Sequence, residues 1–503
     1  MKAIKIHGSS SSSFRFLSKL IFIIITITFI TYIFRSFSST NVADFTIESS
    51  PNNNLTQNII RPSSIPTNVT EIICKKKTKK KTTQLDHLVF AIASSSKVWT
   101  RRQNYIKLWW KPDKMKGYVW LDEHIKNQTS DHSLLPTLKI SSNTSEFKDQ
   151  YNNDESAVRI ARVVSETFRL GYNDDDDVRW FVMGDDDTFL VTDNLIRVLR
   201  KYDHNQFYYI GGSSETHLQN IIFGYNTAFG GGGFAISYPL AKALAEMQDI
   251  CMKRYNNLFT SDHRIQACMA EIGVPLTREV GFHQVDVLGN VYGILAAHPV
   301  APLVSLHHLD LVQPIFPNVT QLGSLKILKL AMELDSAGLA QQSICYDTTR
   351  NWTISVSWGY TVQIQRGIIS ARMMEMPVRT FFNWYKSNEQ NEFSFNTRSF
   401  VKNSCQTPFV HMFSHGRYNS STNQTFTKYE KFPNEKTRCK WRMANPDRIT
   451  EAHVTKKRDP HLWDNKAPRR NCCRVLPSEQ QHILVVDVGG CRPGEIVERN
   501  ALA

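Results

Sequence analysis

Three consecutive carboxylates, Asp185-Asp186-Asp187, follow the apolar run VRWFVM (Val178 to Met183), with Gly184 between them. Acids at the C-terminal edge of an α/β strand stand where such sheets bind their ligands. Held this close they repel one another unless a cation or a set of hydroxyls compensates. Hard oxygen donors suit a divalent metal, and a metal suits phosphate. The same residues also fit a solvated acidic turn that caps the next helix. A second constellation is the glycine run FGGGGFAIS (Phe229 to Ser237), which would let backbone approach a ligand closely or form a flexible loop. Gly230-x-Gly232-x-x-Ala235, with Asp249 downstream, matches a dinucleotide fingerprint by letter. Its late position and the apolar residues that follow it exclude that reading. The third set is Asp262 in FTSDHRIQ and the pair His307-His308 in VSLHHLD. Taken alone, Asp262 fits a helix cap or ion pair, and the histidines fit one core residue and one exposed neighbour.

The elements around these residues alternate. LDHLVFAIASS (Leu85 to Ser95) reads as a buried strand entering a turn. Arg101 to Trp110 has helical spacing, and Gly117 to Asp122 is a short strand. Glu155 to Tyr172 places Val158, Ala161, Val164 and Phe168 on one helical face, closed by Gly171. After the acidic loop Asp174 to Asp177 comes the strand that ends in the three acids. A helix from Thr192 to Tyr202, a strand from Gln206 to Gly212 and a helix from Pro239 to Gln248 follow. This order predicts an α/β domain over residues 85–320 with a mixed, mainly parallel sheet. Residues 321–503 differ. Ile354, Val356, Trp358, Tyr360, Val362 and Ile364 alternate without a break, which predicts a strand, and six cysteines are scattered through the region. A β-rich region stapled by disulfides is expected, with connectivity left open.

The N-terminus carries a compartment signal. Leu20 to Phe34 is uncharged, Lys2, Lys5, Arg15 and Lys19 precede it, and Arg35 follows. The expected arrangement is a cytosolic tail (1–15), an uncleaved transmembrane signal anchor (16–35) and a disordered stem (36–84), with a cleavable signal peptide as the alternative. The short span suits the thinner membranes of the early secretory pathway, hence a single-pass type II protein of the Golgi membrane with a lumenal body. Eight N-x-[ST] sequons all lie after the anchor, from Asn54 to Asn423, and nine cysteines suit an oxidising lumen. Cys74, alone in the stem, could join two chains as a homodimer. The net charge of +14 does not imply nucleic acid. Residues 1–82 hold 12 basic and 3 acidic residues, so nine of those charges belong to the tail and stem.

In order, WFVMGDDDTF, FYYIGG, FGGGGFAIS, SDHRIQACMAEIGVPLTREVGFHQVD and HPVAPLVSLHHLD resemble fringe-like β-1,3-glycosyltransferases of glycosyltransferase family 31, which have a GT-A fold. More closely they resemble the plant branch of fringe-related glycosyltransferases originally defined by a domain of unknown function. The resemblance runs from about Leu85 to Pro317 and extends into the β-rich tail. It implies that Asp187 ligates Mn²⁺ or another divalent cation, with Asp185 on the metal or the ribose. His307 or His308 would complete the site. Asp186, Arg102, Gly231, Gly232 and Gly233 would lie on the UDP-sugar donor, Phe234 and Trp109 near it, and Asp262 where the catalytic base stands. The reaction implied is inverting transfer to a glycan or glycoprotein hydroxyl. SDHR departs from relatives that often carry a second acid beside the base, which keeps a catalytically silent, sugar-binding or scaffolding protein in view. A metal-dependent phosphohydrolase built on the acid cluster is the other class. Donor sugar and acceptor are not specified by these motifs.

Overall fold

Six successive buried residues make β1 (Leu88–Ala93) a strand covered on both faces. It enters α1 (Ser96–Trp109), and then β2 (Lys116–Leu121) and β3 (Thr137–Ile140). Next come α2 (Glu155–Phe168), β4 (Trp180–Asp185), β5 (Phe189–Leu190), α3 (Thr192–Leu199) and β6 (Tyr209–Gly211). After α4 (His217–Phe223) follow β7 (Phe234–Ser237), α5 (Tyr238–Arg254), α6 (Ser261–Ile272) and β8 (Leu276–Arg278). The central sheet runs β3-β2-β1-β4-β7-β6-β8. It is parallel except at β7, which is antiparallel to both neighbours. In this computed structural model the described residues are 82–125, 134–147, 155–172, 177–433, 439–465 and 467–496. The predicted anchor, the stem up to Lys81 with Cys74, the sequons Asn54, Asn68 and Asn127, and Asp174 to Asp176 lie outside them. Among the described residues no helix is long and apolar enough to cross a membrane.

The period of two sorts the sheet residues. Leu88, Phe90 and Ile92 face a large cluster that includes Trp109, Trp358 and Val486. Val89, Ala91 and Ala93 face a second cluster built on α2, α5 and α6. The hydrophobic core is therefore continuous across residue 320. Several boundaries differ from the sequence reading: α1 begins at Ser96, not Arg101, α3 ends at Leu199, not Tyr202, and α5 runs on to Arg254, not Gln248. The first turn of α1 is capped from afar, since its N-cap Ser95 makes no side-chain cap bond and Ser96 donates its backbone N–H to Asp122 Oδ1 at 2.7 Å.

The chain then forms β9 (Phe282–His283), β10 (Leu288–Gly289), α7 (Tyr292–Ala296), β11 (Ser305–Leu306) and α8 (Gln321–Asp335). The β-rich region contains β12 (Gln342–Asp347), β13 (Trp352–Ser357), β14 (Thr361–Arg366) and β15 (Phe381–Phe382). Its longer strands are β16 (Phe409–Asn419), β17 (Gln424–Lys431), β18 (Glu451–Lys457), β19 (Cys472–Leu476) and β20 (Ile483–Gly489). The run from Ile354 to Ile364, expected as one strand, is the hairpin β13–β14. Gly359 turns it at φ +76°, and Ile354 and Val356 face Ile364 and Val362 across the pair. Residues opposite one another share a face, so the alternation passes through the turn unbroken.

Four disulfides resolve the cysteines. Cys251–Cys268 ties α5 to α6, and Cys405–Cys439 ties two loops. Cys345–Cys473 and Cys472–Cys491 use the adjacent pair. Neighbouring side chains on a strand point to opposite faces, so Cys472 and Cys473 take different partners. The sheet order is β12-β13-β14-β16-β17-β18-β20-β19. Its two outermost strands are therefore joined by Cys345–Cys473, with the Cα atoms 5.3 Å apart. The sheet curls until its edges meet, which removes them as templates for pairing.

Candidate active site

The parallel register sets Ala93 beside Asp185, so the end of β1 delivers Ser94 to the acids. Asp186 and Asp187 are each 2 % exposed. Asp186 turns toward β1 and α1, where Ser94 Oγ donates to it at 2.6 Å and Arg102 Nη1 at 2.8 Å. Burial raises the Asp186 carboxyl to about 6 against the pull of Arg102 and Ser94. Asp187 turns the other way, with Oδ1 3.1 Å from His307 Nε2 and Oδ2 3.1 Å from Arg102 Nη2. Burial opposes its charge, but His307 and Arg102 override that and hold it well below the usual carboxylate range. Asp185 Oδ2 lies 3.5 Å from the same His307 nitrogen.

Asp185, Asp187 and His307 each present a ligand atom, and the three lie within 4.8 Å of one another. Two carboxylates and an imidazole fit a divalent cation. Asp185 Oδ1 and His307 Nδ1 are buried with no hydrogen-bond partner, which also fits a group that takes an ion. Burial lowers the affinity of His307 for a proton, yet the two aspartates outweigh it and raise the imidazole to about 10. Without a metal, then, a proton on His307 supplies the positive charge between the acids. The doubled histidine is resolved by geometry. His308 has φ +51°, and its Nδ1 turns away to Asp286 Oδ1 at 3.2 Å.

The glycine run is a fixed cradle. Gly230 donates its N–H to Asp262 Oδ1 at 2.7 Å, and Gly231 O accepts from Thr188 Oγ1 at 2.7 Å. Gly232 donates to Gln284 Oε1 at 2.5 Å and its carbonyl accepts from Ser305 Oγ. Gly233 closes the turn with N–H to Gly230 O at 2.9 Å and φ +85°. Every backbone group so named is committed, so the run holds Asp262 and His307 at a set separation.

Asp262 occupies the first turn of α6, after the cap Thr260, whose hydroxyl accepts from His263 N. It is partly exposed. Removal from bulk water pushes its carboxyl up to about 7 despite the Gly230 N–H, and the negative charges of Asp185 and Asp286 add to the rise. A carboxylate so tuned is suited to take a proton near neutral pH.

Arg102 and Trp109, expected near the donor, are structural neighbours of the acids. Arg102 bridges Asp186, Asp187 and, through Nε at 3.2 Å, Asp310. Trp109 is buried and donates Nε1–H to Thr188 O at 2.9 Å, bracing the turn after the acids. Phe234 is buried core within β7. Sequence reasoning missed Asp310, which also accepts from Tyr105 at 2.6 Å, and Asp286, which accepts from Ser214 Oγ at 2.6 Å. It also missed Trp384, whose ring meets that of His308 edge-on at 5.5 Å. VSLHHLD and FHQVD contained two of these acids, but nothing local separates them from surface aspartates.

A model of the family described as fringe-like matches residues 83–301. A model described as a protein of unknown function, DUF604, matches residues 219–473, just over half of the chain. No curated protein matches the chain. The fringe-like match supports a glycosyltransferase, and such an enzyme requires a sugar donor and an acceptor.

Proposed function

Because the chain belongs to the DUF604 family and carries a fringe-like domain, we propose that it is a metal-dependent inverting glycosyltransferase. It transfers a sugar from a UDP-sugar to a glycan or glycoprotein hydroxyl and forms a β-1,3 linkage. The observation that carries this reading is the separation of roles across the Gly230–Gly233 cradle. On one side stand Asp185, Asp187 and His307; on the other stands Asp262, a carboxylate raised to about 7.

Asp185, Asp187 and His307 would hold the metal, which would neutralise charge gathering on the departing diphosphate. Arg102, itself anchored on Asp186, holds Asp187 in place. The Asp262 carboxylate takes the proton of the acceptor hydroxyl as that oxygen forms its bond to the anomeric carbon. The bond from that carbon to the phosphate oxygen breaks, and its electron pair leaves with UDP. Attack from the face opposite the leaving group inverts the anomeric centre.

We also propose that the chain is a single-pass type II protein of the Golgi membrane, anchored by residues 16–35 with its body in the lumen. Supporting this, the sequons Asn143, Asn318, Asn351 and Asn419 are exposed and Asn423 is partly so, as attachment of a glycan requires. Cys74 would link two such chains across their stems.

The test uses the full-length chain in mild detergent with a panel of UDP-sugars. UDP release should require Mn²⁺ and stop in Asp187→Ala, while Asp262→Asn should bind donor and lose transfer. A folded wild-type chain that neither binds nor consumes any UDP-sugar would overturn the reading and favour the silent alternative. Removal of N-linked glycans should lower the apparent mass of the cellular protein; no change would overturn the lumenal placement.

A further inference from the structure

The strand β14 has two buried faces of opposite character. Val362 and Ile364 point into the apolar core, while Gln363 and Gln365, 3 % and 5 % exposed, point the other way. A strand with one polar face ordinarily turns that face to water. Here both glutamines line a cavity of about 550 Å³ at the seam between the α/β half and the β-rich region. Gln363 stands opposite Val410 on β16, and Val410 and Met412 line the same cavity. Tyr292 of α7 lines it from the α/β side. Amide and apolar side chains therefore share its walls.

Arg398 is the one charged side chain among the described residues that line this cavity. Its backbone is fixed by its N–H to Pro377 O at 2.9 Å and by a carbonyl that accepts from Arg379 N at 2.9 Å. Its Nε donates to Met376 O at 3.2 Å, which leaves the two terminal nitrogens of the guanidinium for other acceptors. No carboxylate lines the cavity among the described residues. Burial lowers the guanidinium from its usual value, and the Tyr292 phenol pulls the other way. A partly buried cation without a counter-anion is costly, and the guanidinium fork matches a carboxylate with two parallel bonds. One cation balances one negative charge, so a phosphate dianion would stay partly uncompensated. The amides can bond a hydroxyl, and Val410 and Met412 offer surface to an apolar body. A volume of this order is typical of small-molecule sites.

We propose that this cavity is a second ligand site for a small monocarboxylate with an apolar body, its carboxylate on the Arg398 guanidinium and a hydroxyl on Gln363 or Gln365. None of Asp185, Asp187, Asp262 and His307 lines it, so the site is separate from the acid–histidine centre and does not rest on the transferase reading. Gln363, Gln365, Arg398 and Met412 lie beyond the fringe-like match, which ends at residue 301, and inside the DUF604 match.

The experiment is titration calorimetry on the full-length chain in mild detergent. The probes are 4-hydroxycinnamate, its methyl ester, glucuronate, inorganic phosphate and a short peptide with a free carboxyl terminus. The wild type should bind 4-hydroxycinnamate about tenfold more tightly than the ester, a comparison that needs no variant. Arg398→Gln should weaken binding of the acid by about tenfold, and Arg398→Lys by less, since it keeps the charge and loses the fork. Met412→Trp should abolish binding by filling the cavity while the cation stays in place. No binding of the acid by the wild type, equal binding of acid and ester, or binding indifferent to Arg398 overturns the proposal. Tighter binding of glucuronate, phosphate or the peptide than of 4-hydroxycinnamate overturns it as well, because the apolar small acid is then not the ligand class.

Discussion

Gly231 and His307 are in such close contact that a Cβ on the glycine would lie 2.0 Å from the imidazole Cε1. The backbone of Gly231 is not left-handed, so the requirement is one of space alone. His307 is in turn the residue that faces Asp185 and Asp187. The absence of one side chain at position 231 therefore sets where the imidazole stands.

Gly231→Ala should displace His307 and cost the metal site one of its three ligands. Differential scanning fluorimetry with and without Mn²⁺ checks this. The wild type should show an upward Tm shift with the metal, and Gly231→Ala should lose most of it while folding. An unchanged shift would place the metal away from His307.

Asp262 links catalysis and stability to pH with opposite signs. Transfer needs its carboxylate, so the rate should rise with pH as this group, raised by its removal from water, gives up its proton. Stability goes the other way. The folded value of about 7 lies above the ordinary 3.8, so the native state keeps a proton that the unfolded chain has released. The contribution of this proton is complete below about 4 and is lost as pH climbs to about 7. In metal-free buffer the Tm of Asp262→Asn should therefore gain on the wild type across that window and level off above it.

Arg102 compensates three carboxylates at 2.8, 3.1 and 3.2 Å. Arg102→Gln should lower the Tm of the metal-free protein, because Asp186 and Asp187 then stand together with less opposing charge. Mn²⁺ should raise the Tm of this variant by more than it raises that of the wild type, since the cation supplies part of what the guanidinium did. Equal shifts in the two proteins would argue against a shared electrostatic role.

Lys456 on β18 and Asp335 at the end of α8 form an ion pair at 2.5 Å, with side chains 1 % and 3 % exposed. Asp335 also accepts from Gly338 N at 3.2 Å. Lys456→Met leaves a buried carboxylate without its cation and should destabilise the protein by about 3 kcal/mol. Chemical denaturation measures this. The double variant Lys456→Met with Asp335→Leu should recover much of the loss, which separates an unpaired charge from a packing defect.

The α/β half was legible because its signals are local. An apolar run such as Trp180 to Met183 leaves few conformations for the chain other than a buried strand, and Val158, Ala161 and Val164 mark one helical stripe. The three acids could be placed at a strand end, ahead of a glycine run, an aspartate and two histidines. Resemblance then lent them roles. The hairpin at Gly359 was hidden by the same logic, since a turn that keeps the facing residues in phase leaves the alternation intact.

What the sequence determined by itself was which residue types stand where along the chain: Asp185 to Asp187 at the end of a strand, glycines at 230 to 233, and Asp262 downstream as a cap or an ion-pair partner. The tertiary structure decided which of them meet. His307 and His308 are neighbours in the chain, and only the left-handed backbone at His308 sends one imidazole to the acids and the other to Asp286. Asp186 and Asp187 are likewise adjacent, yet one is held by Ser94 and Arg102 and the other faces His307. Trp384 reaches the site from 76 residues beyond His308 because β15 pairs with β10. Periodicity reports the environment of a side chain averaged over a face. The identity of its partner depends on the long-range register, which only the closed fold supplies.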